Sequence, residues 1–99
     1  MLFFVRFTDH ADRLDVRQAH LAAHMAWLAE HADAIRLGGP LRESPEANPV
    51  GAMWLVEAAD RAAVEALIAT DPFWTHGLRA SREILEWRKA VPPGPATIG

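Results

Sequence analysis

The chain has 99 residues, the size of a single domain built on one hydrophobic core. Acidic residues outnumber basic ones 13 to 10, and no run of basic residues could follow a nucleic-acid backbone. The apolar stretch at the start of the chain is interrupted by Arg6 and is too short for a membrane span. The absence of cysteine excludes disulfides, thiolate nucleophiles and cysteine-bound metal centres. We therefore expect a cytoplasmic protein with neither nucleic acid nor membrane as partner.

The first half of the chain predicts a strand followed by a long helix. Residues 2–7 are rich in β-favouring side chains that alternate between two faces. The stretch that begins at Leu14 or Arg17 and runs to Ile35 is rich in alanine, leucine and charge, which favours a helix. Its predicted apolar stripe consists of Leu14, Leu21, Met25, Leu28, Ala32 and Ile35.

The second half predicts a short extended piece, a strand, a helix and a last strand. A short extended piece at residues 36–41 leads into a polar loop, RESPEANP at residues 42–49. Residues 50–58 read as a strand, Asp60 caps a helix at residues 61–69, and residues 81–89 form the last strand. The order strand, helix, strand, strand, helix, strand is the pattern of a ferredoxin-like α+β domain with an antiparallel sheet.

The predicted sheet is apolar on both faces. The helices cover only one of them, and the other carries large apolar groups. These are drawn from Phe3 or Phe4, Trp54 or Met53, and Leu85 with Trp87. Because a large apolar surface is unfavourable in water, we predict that a second copy of the chain covers it, as a symmetric homodimer. We place the domain at residues 1–91 and predict a flexible tail at residues 92–99, where proline and glycine dominate.

Residues 70–77, TDPFWTHG, place a carboxylate beside a proline, two large aromatics and a histidine. The simplest interpretation is that Asp71 caps a helical turn that begins at Pro72. Trp74 and His76 follow, and they could wall a pocket and contact a substrate. The alternative is that Trp74 is a core residue and that His76 lies at the rim.

Several stretches together resemble the YciI-like family, also called YCII-related domains. They are VRQAHL at 16–21, RLGGP at 36–40, VGAMWLVEA at 50–58 and TDPFWTHGL at 70–78. The resemblance implies a dimeric ferredoxin-like α+β barrel with a pocket between sheet and helix, and a histidine and aspartate held together in it. By position in the motifs these are His20 and Asp71. Two positions depart from the family pattern, since Gln18 stands where proline is usual and Phe73 where tyrosine is frequent.

The predicted pair suggests acid–base chemistry. A hydrogen bond from one imidazole nitrogen of His20 to Asp71 would fix the tautomer, and the other nitrogen could take or return a proton. Arg17, nearly one helical turn before His20, could hold an anionic group of the substrate, or it could simply be a solvated residue at the helix start. The alternative role for the pair itself is structural, with Asp71 as a helix cap.

The family includes proteins similar to enzymes that remove chloride from chlorinated hydroxyquinones. The resemblance therefore suggests a lyase of the dehydrochlorinase type, or an isomerase, that acts on a small aromatic or enol molecule. The alternatives are a non-catalytic homodimer that binds a small ligand or serves as an accessory subunit, and a purely structural dimer.

A metal site is a further alternative. His20 and His24 have the i, i+4 spacing of helical zinc ligands, and Asp71 or Glu57 could add a third ligand. His31 lies about 10 Å further along the helix axis, too far to join them. Because nothing in the sequence requires a third ligand, we predict neither a metal nor a cofactor.

Overall fold

The computed structural model describes residues 1–95, and the last part of the predicted tail, residues 96–99, lies outside the described residues. The elements are β1 (Leu2–Asp9), α1 (Leu14–Glu30), β2 (Ile35–Leu41), β3 (Gly51–Glu57), α2 (Arg61–Ile68), α3 (Pro72–Thr75) and β4 (Arg79–Trp87). The strands form one antiparallel sheet in the order β2-β3-β1-β4. This arrangement confirms the predicted ferredoxin-like α+β fold.

The core lies between the helices and one face of the sheet. In β1 the alternation of side chains places Phe3, Val5 and Phe7 on one face of the strand, and this is the face that is buried. Trp54 from β3 packs edge-on against Phe7, with ring centroids 4.6 Å apart, and tilts against Trp27 of α1 at 5.4 Å. These three aromatic rings therefore fix α1 onto the two central strands.

Gly51 allows β3 to approach β1 closely. The residue pairs with Thr8, and a Cβ atom at position 51 would lie 1.9 Å from the carbonyl oxygen of Phe7. No side chain fits this space, so glycine is required at the start of β3.

Helix α1 ends earlier than predicted. The amides of Ala34 and Ile35 both donate to the carbonyl oxygen of His31, so the chain turns there, and Ile35 begins β2 instead of ending the helix. The predicted apolar stripe is also wrong, because Leu21 and Met25 are 44% and 56% exposed. The helix instead buries His24 and Trp27, since the Trp27 ring fills the space against Trp54.

The caps of the second half follow the sequence closely. Asp60 accepts a hydrogen bond from the amide of Ala63 and begins α2, as predicted, and Val64 and Ile68 point into the core. Helix α2 ends at Ile68 and β4 begins at Arg79, within two residues of the predicted bounds. Among residues 1–95, no helix combines the length and the apolar character needed to cross a membrane.

The outer face of the sheet carries an apolar row across all its strands. Phe4 pairs in register with Leu55 on one side and with Leu85 on the other, and Leu55 pairs with Leu37. Leu85 and Leu37, at the two ends of the row, are 53% and 47% exposed. No helix of the described chain covers this face, as expected when the helices pack on the other side. We call these four residues the outer row.

Candidate functional site

A buried polar pair joins α1 to α3. Nδ1 of His24 lies 2.7 Å from Oδ1 of Asp71, and both side chains are almost completely buried. Asp71 in turn accepts the backbone N–H of Phe73 on the same oxygen, at 3.0 Å. A histidine and an aspartate are therefore held together inside the fold, at the point where α1 meets α3.

The local sequence explains why Asp71 is held so firmly. Its backbone is extended, as the following proline favours, and Pro72 opens the short helix α3 while Asp71 caps it. This confirms the predicted cap, and the same carboxylate also binds His24. Its second oxygen, Oδ2, is buried without a hydrogen-bond partner among the described residues. Oδ1 therefore accepts both hydrogen bonds, and Oδ2 accepts none from the described residues.

The histidine partner differs from the predicted one. His20 lies one turn earlier on α1, where its ring stacks on His76 with centroids 3.6 Å apart. His24 is nearer the turn where Trp27 anchors the helix, and its ring stacks on Phe73 at 3.9 Å, directly beside Asp71. The expected contact between His20 and Asp71 is therefore corrected to His24. Both histidines face the same flank of the helix, so their spacing alone did not separate them.

His24 lines a cavity of about 350 Å³ between α1 and the strands β2 and β3. Nδ1 of His24 faces Asp71, so Nε2 is the ring nitrogen that does not contact the carboxylate. In the tautomer with hydrogen on Nδ1, that hydrogen is donated to Asp71 and Nε2 carries the lone pair. Nε2 makes no hydrogen bond within residues 1–95. This arrangement can take a proton from a molecule in the cavity and return it.

The walls of the cavity are mixed. Trp54 and Phe73 supply aromatic surface, and Leu21 and Met25, which α1 leaves exposed, line it as well. The loop after β2 contributes Arg42, Asn48 and Pro49. The volume and the apolar walls suit a small aromatic molecule.

Two predicted substrate contacts lie elsewhere. Trp74 packs against the core from α3, with the Arg82 guanidinium over its ring, and His76 is exposed beside His20. Neither residue lines the cavity. Their contact with a substrate stays a prediction, whereas Arg17, the third predicted contact, does line the cavity.

A buried ion network adjoins the His24 and Asp71 pair. Asp9 accepts from Arg17 at 3.0 Å on one oxygen and from Arg79 at 2.8 Å on the other. The guanidinium groups of both arginines lie 5.1 Å from the centre of the Phe73 ring. No motif in the sequence marks Asp9 or Arg79, because they become neighbours only through the pairing of β1 with β4.

The metal alternative finds no support in the geometry. Asp71 takes up Nδ1 of His24, and His20 turns toward His76, so the two histidines do not converge on one point. No cluster of three or more histidine or acidic side chains within residues 1–95 could hold a metal ion.

Comparison with known proteins places the chain in context. The model of the YCII-related domain family matches residues 1–88. A solved structure of a 5-chloro-2-hydroxyhydroquinone dehydrochlorinase from Burkholderia phenoliruptrix, in complex with 2,5-dihydroxybenzoquinone, is 29% identical with a TM-score of 0.83, over 91% of this chain and 96% of that one. No curated protein matches the chain.

Two further solved structures share the fold. One is a putative antibiotic biosynthesis monooxygenase from Bacteroides thetaiotaomicron, 20% identical with a TM-score of 0.56, over 99% of this chain and 95% of that one. The other is SnoaB, a cofactor-independent oxygenase from Streptomyces nogalater, 21% identical with a TM-score of 0.53, over 93% of this chain and 96% of that one. At these identities the likeness concerns the fold alone.

Proposed function

Because the chain belongs to the YCII-related domain family, we propose that it performs general acid–base chemistry on a small aromatic or enol molecule bound in the cavity. His24 is the proton carrier and Asp71 orients it. The observation that carries the proposal is the buried 2.7 Å hydrogen bond between the two, in which one partner also lines the cavity. A purely structural pair would not need a free ring nitrogen beside a cavity.

The proposed step moves protons between oxygen and carbon. A ring hydroxyl gives its proton to Nε2 of His24, and the electron pair left on oxygen forms a carbonyl group. The ring electrons then take the proton back from Nε2 at a carbon atom, which completes an enol-to-ketone conversion. If that carbon carries chlorine, a second hydroxyl proton passes to His24 while chloride leaves with the electrons of its bond, so that HCl is lost in total.

Asp71 makes this step possible without taking the proton itself. Its carboxylate holds Nδ1–H, which keeps the lone pair on Nε2, and it stabilises the positive charge that His24 carries between the two transfers. The stacked ring of Phe73 keeps the imidazole plane in place. The enzyme named as a dehydrochlorinase, which is 29% identical to this chain, supports loss of HCl from a hydroxylated ring as the first reaction to test.

A turnover assay tests the proposal. Purified protein is mixed with 5-chloro-2-hydroxyhydroquinone under anaerobic conditions, and released chloride and quinone absorbance are followed. We expect His24→Asn to lower the rate by roughly 10²–10⁴-fold, the usual contribution of a general acid–base group. His20→Asn is the matched control, one helical turn away, and should retain the rate. Equal rates for His24→Asn and the native protein would contradict the proposal, and tight binding without any turnover would favour a non-catalytic ligand-binding protein.

We also propose that the protein is a homodimer through the outer row. Leu37, Leu55, Phe4 and Leu85 form a continuous apolar line across the sheet, and Trp87 is exposed next to it on β4. Beside the row, Arg6 and Glu83 form an ion pair whose groups could also meet a partner. A second copy related by a two-fold axis presents the same row, so the two sheets can pack face to face.

A further inference from the structure

We propose that the cavity binds its ligand as an anion, a planar ring with an ionised oxygen, and that Arg79 and Arg17 together hold that oxygen. This proposal rests on the proposed function for the place of the ligand, and it adds the charge of the ligand and a second binding residue, Arg79. Two features of the cavity support it: the charges of its lining residues and the nitrogen atoms of the two arginines that have no hydrogen-bond partner among the described residues.

The charged groups that line the cavity are almost all positive. Arg17, Arg42 and Arg79 are among its lining residues, and no aspartate or glutamate is. Asp9, which is not among the lining residues of this cavity, accepts from both Arg17 and Arg79, so a single carboxylate serves two guanidinium groups. The other buried carboxylate, Asp71, is bound to His24 and to the amide of Phe73 and to neither arginine. The two arginines therefore share one directly bound carboxylate, and an anion in the cavity would supply a second.

Arg79 is placed as a fixed donor and not as a mobile surface residue. Only 1% of its side chain is exposed, yet it lines the cavity. Its guanidinium group lies 4.6 Å from the centre of the Phe7 ring and 5.1 Å from that of Phe73, and Nη1 donates to Asp9. Burial of an arginine costs free energy unless its donors are satisfied, so the donors that remain unpaired need an explanation.

Each arginine keeps unpaired nitrogen atoms. Nε of Arg17 and Nε of Arg79 are buried without a partner among the described residues. Asp9 occupies one terminal nitrogen of each, Nη2 of Arg17 and Nη1 of Arg79, and the other terminal nitrogens make no hydrogen bond within residues 1–95. These free terminal nitrogens are the donors available to a ligand oxygen, and two planar guanidinium groups suit an oxyanion.

The ring of Phe73 brings the anion site and the proton carrier together. Both guanidinium groups lie 5.1 Å from its centre, and the imidazole of His24 stacks on it at 3.9 Å. A planar ligand ring a few ångströms across can therefore place one of its oxygen atoms at the arginines and another of its atoms at His24. An ionised oxygen also pushes electron density into the ring, which favours proton transfer to a ring carbon.

A pair of probes that differ in charge tests the proposal. Binding of 2,5-dihydroxy-1,4-benzoquinone, which ionises in water, is compared with binding of 2,5-dimethoxy-1,4-benzoquinone, which cannot ionise, by quenching of tryptophan fluorescence. We expect the ionised probe to bind the native protein roughly 10–100-fold more tightly, as charge-assisted hydrogen bonds would give. Equal binding of the two probes would overturn the proposal.

Variants assign the effect to the arginines. Arg17→Gln removes one guanidinium group from a partly exposed position. Arg79→Lys keeps the positive charge but replaces the planar guanidinium group with an ammonium group. Each variant should reduce the preference for the ionised probe by about tenfold. Arg61→Gln on α2 removes a surface charge of the same kind and is the matched control. If Arg79→Lys does not fold, Arg17→Gln alone decides, and the proposal fails if Arg17→Gln retains the native preference.

One further variant separates this proposal from the proposed function. His24→Asn should retain the preference for the ionised probe, because the arginines hold the anion, while it loses turnover. Retained turnover in His24→Asn would contradict the acid–base role and leave the anion site standing. Loss of the preference in His24→Asn, with the arginines intact, would overturn the anion site.

Discussion

His20 and His76 stack on each other, with their ring centroids 3.6 Å apart and their planes 17° apart. Nδ1 of His76 is 2.9 Å from the carbonyl oxygen of Pro72, so this ring also closes the end of α3. The pair lies beside the site and not in the cavity. It links α1 to α3, the two elements that position His24 and Asp71.

Because the two stacked rings lie outside the cavity, we expect His20→Asn and His76→Asn to have small effects on stability and turnover. Each should lower the free energy of unfolding by at most about 1 kcal/mol, because the stack is partly exposed, and should change turnover by less than about threefold. Urea denaturation and the chloride-release assay measure the two quantities. A large loss of turnover in His20→Asn with normal stability would indicate that His20, the histidine of the family motif, is the proton carrier instead of His24.

Two substitutions of Asp71 separate its structural role from its chemical one. Asp71→Ala removes both the cap and the partner of His24, and we expect it to cost about 2–4 kcal/mol of stability. Asp71→Asn keeps an oxygen that can accept the hydrogen bonds of His24 and of the Phe73 amide, but it leaves a side-chain NH2 group buried without a partner. We expect it to cost about 1–2 kcal/mol of stability. Thermal unfolding gives these values.

The turnover of Asp71→Asn tests the chemical role of Asp71. Asp71→Asn should lose roughly 10²–10⁴-fold in turnover although it remains folded, because a neutral amide does not stabilise the protonated histidine. Native turnover in Asp71→Asn would show that Asp71 is only a helix cap.

The outer row predicts the assembly. Leu85→Glu places a charge at one end of the row and should convert the dimer to a monomer, because an unpaired carboxylate is costly at an apolar interface. Ala66→Glu, on the exposed side of α2, is the control that adds the same charge away from the sheet. Sedimentation equilibrium reports the mass, and a native protein that sediments as a monomer would refute the dimer.

The close approach at Gly51 predicts a large loss of stability. Gly51→Ala should cost about 3 kcal/mol or more, since the new methyl group would overlap the carbonyl oxygen of Phe7 and push β3 away from β1. Gly39→Ala is the matched control in the neighbouring strand, because nothing lies within 4 Å of a Cβ atom there. Similar unfolding midpoints for the two variants would show that the strands separate without cost.

The strands and caps were predictable because local rules decide them. The alternation in β1 and the caps at Asp60 and Asp71 follow from pleating and from unpaired amides at helix starts, and the structure confirms all three. The end of α1 was predicted wrongly, since alanine and leucine favour a helix on both sides of His31 and only the pairing of β2 with β3 draws Ile35 into the sheet.

The site was predictable only in part, for a geometric reason. Asp71 stands out in the sequence because proline follows it, and Arg17 stands near the motif histidine. His20 and His24 share one flank of α1, and the choice between them depends on how Trp27 sets the helix against the sheet. Arg79 and Asp9 meet through the pairing of strands far apart in sequence, which no local pattern encodes.

Imidazole NMR of the native protein and of Asp71→Asn tests the central claim most directly. The five histidine side chains are assigned by single substitutions, and their nitrogen and carbon-bound proton shifts are followed with pH. The account predicts that His24 is held in the Nδ1–H tautomer and that it alone changes strongly when the carboxylate is neutralised. A strong change at His20, with His24 unaffected, would contradict the account.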